Sequence, residues 1–345
     1  DHLRMLQAIG VASIDDLFKD IPDAVRPSPG LFEQDGLSEQ EAIDRLKTLS
    51  GLNRTMTCFL GMGSYDRLIP AAVTALSSLP AFVTAYTPYQ PEISQGLLQA
   101  IFEFQSMVCE LTGMDVYNAS LYDGWSAAAE AAAIMLASKR KSNRVLVSDT
   151  VHPYMVRVLE TWAAGTDFTV AKGKTKDGSL ALADIENLLD ERTAGLIVQN
   201  PNRFGVVEDY TGLADMVHAH GAQLAVSSDP VALALYRSQA EWGADIAFGD
   251  TQPLGLPMAF GGPSCGYLAV RKEAMRKMPG RIVGQTVDNR GNRAFVLTLQ
   301  AREQHIKRER ATSNICSNQA LAALTTTIHL SLVGWDGLVQ AANQS

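Results

Sequence analysis

The stretch 145-VLVSDTVHPYMVRVLETWA-163 decides the fold. An apolar run at 145–147 gives way to polar residues and then to a helix predicted near 154–163. The same unit recurs downstream. Apolar runs at 196–198 and 224–226 alternate with helices predicted near 183–189 and 212–220. Apolar strands alternating with helices imply a parallel sheet buried on both faces, since the crossover helices cover them. Further strands fit 245–248 and 267–270, so the fold class is α/β with a mainly parallel sheet.

Upstream, Leu97, Ile101, Phe104, Val108 and Leu111 recur at helical spacing before Gly113 and predict an amphipathic helix. A short strand is expected at 116–119. It leads into a helix over 123-DGWSAAAEAAAIMLASKRK-141, whose cationic end suits the helix dipole. The first eighty residues read as short helices. Among them, Ser38 and Glu41 form a capping box for a helix that stops at Gly51. Residues 65–79 read as helical despite Pro70. The segment 84-TAYTPYQPEISQG-96, with its two prolines, suits neither a helix interior nor a central strand. Near the end, 295–310 and 319–332 read as helices.

Composition narrows the function. The 345 residues are 46% hydrophobic and 19% charged, an ordinary globular profile. The longest apolar run is 131–137, too short to span a membrane, and no signal-peptide core fits the charged first thirty residues. A net charge of −8 argues against nucleic acid as the main partner. Cys58, Cys109, Cys265 and Cys316 are far apart, which suits reduced thiols in a cytoplasmic setting. His218 and His220 lie two apart on a predicted helix and cannot converge on one metal, so no metal site is expected.

In open α/β sheets ligands gather at the carboxyl ends of the strands. Those ends carry, in order, Gly124, Trp125 and Ser126 at a helix start, then His152, Asn200 and Asp229. A helix start for a phosphate, an imidazole to stack on a ring and an acid for a pyridine nitrogen together suit a pyridoxal phosphate pocket. Such an enzyme also needs a Schiff-base lysine after the acid. No lysine lies between Lys176 and Lys272. The shell of the pocket is present without its covalent anchor.

The segments 86-YTPYQPEISQGLLQAIFEFQ-105, 117-YNASLYDG-124, 199-QNPN-202, 243-GADIAFGDTQPLGLPMAFGGPSCGYLA-269 and 298-TLQAREQHIKRERATSNIC-316 closely resemble the α subunits of bacterial two-subunit glycine dehydrogenase (decarboxylating), the P-protein of the glycine cleavage system. The resemblance covers essentially the whole chain. It implies an aspartate-aminotransferase-like, fold-type I architecture divided into a helical N-terminal segment (1–83), a large domain (84–310) and the start of a truncated C-terminal small domain (311–345). It implies that the β subunit (subunit 2) carries pyridoxal phosphate on the lysine of a His-Lys-Thr-Phe motif, that lipoyl H-protein accepts the aminomethyl group, and that the assembly is α2β2. Aligning the glycine-rich stretch on Pro263 puts Gln252 at the lysine position, where an amide cannot form a Schiff base.

Gly124, Ser126, His152, Asn200, Asp229 and Gln252 are then a remnant pocket. Trp125 is bulkier than a phosphate neighbour should be and implies that this pocket is closed. Tyr86, Thr87, Tyr89 and Gln90 are expected in an active-site or inter-subunit wall. The chain alone is expected to be inactive. The alternative is a lysine-less subunit whose pocket still binds a ligand non-covalently and regulates the complex. An unrelated dinucleotide enzyme is disfavoured, because no GxGxxG follows a strand. The charged run 305-HIKRER-310 is read as a solvated face, with a docking surface for an acidic partner as the lesser alternative.

Overall fold

Alternate residues of the central strands pack on opposite faces, and both faces are buried. A computed structural model of the chain describes residues 1–26, 35–54, 56–59, 61–85, 90–299 and 304–345. It falls into two units, residues 1–57 and residues 58–345.

In the first unit, α1 (His2–Ile9) ends on Gly10 in the left-handed conformation, and α2 (Glu39–Ser50) opens on the expected capping box. There the Ser38 hydroxyl accepts from the Glu41 amide while the Glu41 carboxylate accepts from the Ser38 amide.

The second unit begins with an irregular strap at 61–70. It continues through α3 (Ala71–Ser77), α4 (Pro80–Val83) and α5 (Gln95–Thr112). The sequence predicts a helix over 65–79, but the turns start only after Pro70, which lacks the amide to continue a helix from upstream. Then follow β1 (Val116–Tyr117), α6 (Gly124–Ser138), β2 (Arg144–Ser148), α7 (Pro153–Ala164) and β3 (Thr169–Gly173). A small ribbon, β4 (Thr175–Lys176) with β5 (Ser179–Leu180), leads to α8 (Leu182–Leu188) and β6 (Thr193–Gln199). The sheet is completed through α9 (Leu213–Ala219), β7 (Gln223–Ser227), β8 (Ile246–Asp250) and β9 (Gly266–Val270). A hairpin, β10 (Ile282–Val287) and β11 (Arg293–Thr298), precedes α10 (Ala320–Gln344), which is kinked at Gly334.

The seven-stranded sheet runs β1-β9-β8-β7-β6-β2-β3. Its β3, β2, β6, β7 and β8 are parallel neighbours, and β9 and β1 close the other edge antiparallel. Val145, Val147, Ile197 and Ala225 pack with α6 and α7, while Leu146, Leu196, Val198, Leu224 and Val226 pack on the opposite face. This is the period-two alternation of a strand with apolar residues at every position. Gly195 sets how closely α6 approaches: a Cβ there would lie 2.5 Å from Met135 Sδ and 2.6 Å from the Gln223 carbonyl.

One element differs in kind from expectation. Residues 295–310 read as a helix, yet 293–298 is a strand and 304–310 a short 3-10 segment. The polar tail of that stretch favours helix, but Phe295 and Leu297 bury against α5 only when the segment pairs with Ile282–Val287. Tertiary pairing outweighs local propensity. The four cysteines are unpaired. No described helix is long and apolar enough to cross a membrane.

Candidate functional site

The parallel strands aim their carboxyl ends at one edge, and the connections there line a cavity of about 310 Å³. After β2 comes His152. Gln199 ends β6 and Pro201 follows it, Ser227 ends β7 with Ser228 and Asp229 after it, and Asp250 ends β8. Gly124 and Trp125, which open α6, supply another side, and the strap residues Gly63 and Tyr65 cover it. Of the residues singled out in the sequence, Gly124, His152 and Asp229 line this one cavity. Among the described residues no cluster of His, Cys, Asp or Glu suits a metal ion.

The electrostatics differ from those of a phosphate pocket. The Asp250 carboxylate accepts from the Gly124 amide at 2.9 Å, from the Gln252 amide at 2.8 Å and from the Ser264 hydroxyl at 2.5 Å. The Ser126 amide is taken in turn by Asp123, the N-cap of α6, at 2.7 Å. Two amides that would meet a phosphate already serve carboxylates. A phosphate brought about 4 Å from Asp250 would meet repulsion of about 4 kcal/mol per unit charge at an effective dielectric near 20. A helix terminus returns at most about 2 kcal/mol, so repulsion wins.

The ring site is filled too. Trp125 lies over His152 with ring centroids 4.1 Å apart and planes 24° from parallel. His152 Nδ1 accepts from the Tyr154 amide at 3.1 Å, which places the proton of the neutral ring on Nε2. Burial holds this imidazole below its ordinary pKa, and the charge of Arg203 acts in the same direction. The strap needs a glycine at 63, with φ +90°, because a Cβ there would sit 3.3 Å from Trp125 Cη2.

Asp229 accepts from the Val231 amide at 2.8 Å and faces Arg67 at 3.9 Å. Burial pushes its carboxyl up from the ordinary carboxylate value, while the Val231 hydrogen bond and Arg67 oppose the rise. Asn200 is turned away from the cavity, with its amide paired to the Glu208 backbone through Nδ2 at 2.8 Å and Oδ1 at 3.1 Å. Gln252 is 4% exposed and spends its amide as a clasp. Its Oε1 accepts from the Tyr65 amide at 2.9 Å, and its Nε2 donates to the Tyr65 and Leu256 carbonyls at 3.0 and 2.9 Å.

Gln90 is exposed, and its carbonyl accepts from the Ile93 amide. Tyr86, Thr87 and Tyr89 lie outside the described residues. Three contributors escaped the sequence reading. Asp250 could have been found by the strand-end rule applied to β8. Tyr65 and Arg67 sit in a segment without periodicity and gave no signal.

These residues do not fit pyridoxal phosphate. The anion position is held by carboxylates, an indole covers the imidazole, and the position expected for the lysine is an amide bonded to backbone.

The sequence profile of the glycine cleavage system P-protein matches residues 1–345. A probable glycine dehydrogenase (decarboxylating) subunit 1 from Desulforamulus reducens is 52% identical over 345 residues, covering 99% of this chain and 77% of the relative. The crystal structure of a glycine decarboxylase (P-protein) of the glycine cleavage system, in inhibitor-bound form, superposes with a TM-score of 0.90 at 41% identity. That match covers 98% of this chain and 76% of the other. The sphingosine-1-phosphate lyase of Burkholderia pseudomallei superposes with a TM-score of 0.65 at 13% identity over 93% of this chain and 74% of the other, a likeness of fold alone.

Proposed function

Because the chain belongs to the glycine cleavage system P-protein family, we propose that it serves as the α subunit of a glycine dehydrogenase (decarboxylating) whose pyridoxal phosphate is held by a homologous β subunit. The fold is that of fold-type I pyridoxal phosphate enzymes. The cofactor supplies an electron sink when bound, and this chain contributes no group to that chemistry at its own strand ends. In this reading the β subunit decarboxylates glycine, a lipoyl H-protein receives the aminomethyl group, and two α and two β chains assemble in the bacterial cytoplasm.

The observation that carries the division of labour is the Asp250 carboxylate bonded to the Gly124 amide, where a phosphate would otherwise sit. The clasp of Gln252 on Tyr65 supports it, since a buried amide bonded to backbone on both sides is a structural fastener rather than a nucleophile. The cavity that remains favours a second reading, in which it takes a small ligand non-covalently and tunes the complex.

The test is reconstitution. Glycine-dependent release of carbon dioxide, measured with a lipoyl acceptor, is expected only when both chains are present. Turnover by this chain alone would refute the proposal, and full turnover by the partner alone would leave the chain without the proposed role.

A further inference from the structure

The chain carries a charge asymmetry that the strand-end cavity does not use. Residues 271–310 hold eleven of the 29 Lys and Arg but only four of the 37 Asp and Glu. This stretch is thus formally +7 in a chain of −8. It contributes the 3-10 segment Lys272–Lys277, the hairpin β10–β11 and the 3-10 segment Gln304–Arg310.

Residues from all three line a cleft of about 330 Å³. Its walls are apolar at Met275, Ile282, Leu299 and Ile306, with cations at Arg276 and Lys307. Leu299 and Ile306 are 49% and 50% exposed. Arg276, Lys307, Arg308 and Arg310 are exposed, and among the described residues none of them has a carboxylate within ion-pairing distance.

We infer that this cleft is a docking site for an acidic protein segment that presents an apolar side chain between its carboxylates. The inference stands independently of the glycine dehydrogenase reading. Carboxylates are matched by the cations at the rim, and an apolar side chain by a floor that includes adaptable methionine. A small inorganic anion would leave the apolar walls unused. A long nucleic acid would meet the net negative charge of the rest of the chain, and among the described residues no aromatic ring lines the cleft for base stacking. An acidic protein is repelled by most of this surface and accepted here, so the asymmetry orients it as well as attracting it.

The test uses the full chain and a fluorescein-labelled peptide, Glu-Leu-Glu-Glu-Leu-Glu, followed by fluorescence anisotropy. Its counterpart with Gln for every Glu is the neutral control. The acidic peptide is expected to bind, to weaken as salt rises to about 150 mM where the screening length is about 8 Å, and to outcompete the neutral one. The double variant Arg276→Glu/Lys307→Glu should weaken it at least about tenfold. Lys172→Glu, on the far edge of the sheet, should leave it unchanged. Arg276→Gln/Lys307→Gln gives the same readout more mildly if charge reversal perturbs folding, which a melting curve reports. Ile306→Ser should also weaken binding. Equal binding of the neutral peptide, equal loss in Lys172→Glu, or no binding of the acidic peptide would overturn the inference. So would tighter binding of a single-stranded oligonucleotide through the same cations.

Discussion

Replacing Gln252 with alanine isolates the clasp that ties the 61–70 strap to the strand ends. Three hydrogen bonds disappear, two to the Tyr65 peptide group and one to the Leu256 carbonyl. Each is worth about 0.5–1.5 kcal/mol net when both partners can return to water. Tyr65 is half-buried, so water replaces part of what it loses, whereas the Leu256 carbonyl meets the buried end of the side chain. The expected loss is about 2 kcal/mol of unfolding free energy, toward the low end of the summed range. Among the other polar ties of this strap to the strand ends, the Met62 backbone meets His152, and Arg67 faces Asp229 at 3.9 Å, too long a separation for a hydrogen-bonded pair. The strap should therefore open locally before the sheet does. Urea unfolding gives the stability, and hydrogen exchange on a peptide covering residues 61–67 gives the opening. Full protection of that peptide together with a stability change below about 0.5 kcal/mol, the ordinary scatter of surface substitutions, would refute the clasp.

Other perturbations follow from the same geometry. Glu130 is 7% exposed on α6, and its carboxylate accepts from the Ser313 hydroxyl; burial pushes its pKa up from 4.5 to about 7. The folded state thus holds a proton that the unfolded chain releases, so stability falls from pH 4.5 to about 7 and is lowest above it. Glu130→Gln should raise the melting temperature at pH 8, by an amount of order 3 kcal/mol in free energy, and hardly at pH 4. Equal gains at both pH values would contradict the assignment. Asp250→Asn combined with Trp125→Ala keeps an acceptor for Gly124 while removing the charge and the indole. It should bind pyridoxal phosphate reversibly at least about tenfold more tightly than the parent by absorbance titration, and unchanged affinity would reject the account of the closed cradle. Tyr86→Ala or Tyr89→Ala should lower the activity of the reconstituted complex at least about tenfold, or roughly 1.4 kcal/mol. The melting of the isolated chain should stay put; a large stability loss with full activity would make these tyrosines structural.

The sheet was legible because its strands are buried on both faces. Runs such as 145–147 and 224–226 admit few other readings once helices flank them. The α6 start was legible because Asp123, Gly124 and Ser126 form a recognisable cap. The hairpin was not, because the apolar run Phe295, Val296, Leu297 and Leu299 contains both strand and helix spacings, and the pairing that decides is with residues 282–287, outside any local window. At the site, the order of His152, Asn200 and Asp229 on strand ends was readable, but the direction of Asn200 was not. Its amide turns to Glu208, eight residues away. The occupation of the anion position by Asp250 depends on β8 lying opposite α6, which is a property of the tertiary fold. The lysine gap between Lys176 and Lys272 was plain in the sequence, whereas the use to which Gln252 is put needed the position of Tyr65.

The most direct test of the central claim is covalent. The chain is co-expressed with the partner subunit, the complex is reduced with borohydride, and pyridoxyl-lysine is mapped by peptide mass spectrometry. Expected is an adduct on a lysine of the partner and none on any lysine of this chain, Lys272 and the lysines before Lys176 included. A stoichiometric pyridoxyl adduct on a lysine of this chain would contradict the claim that its own pocket has been given over to structure.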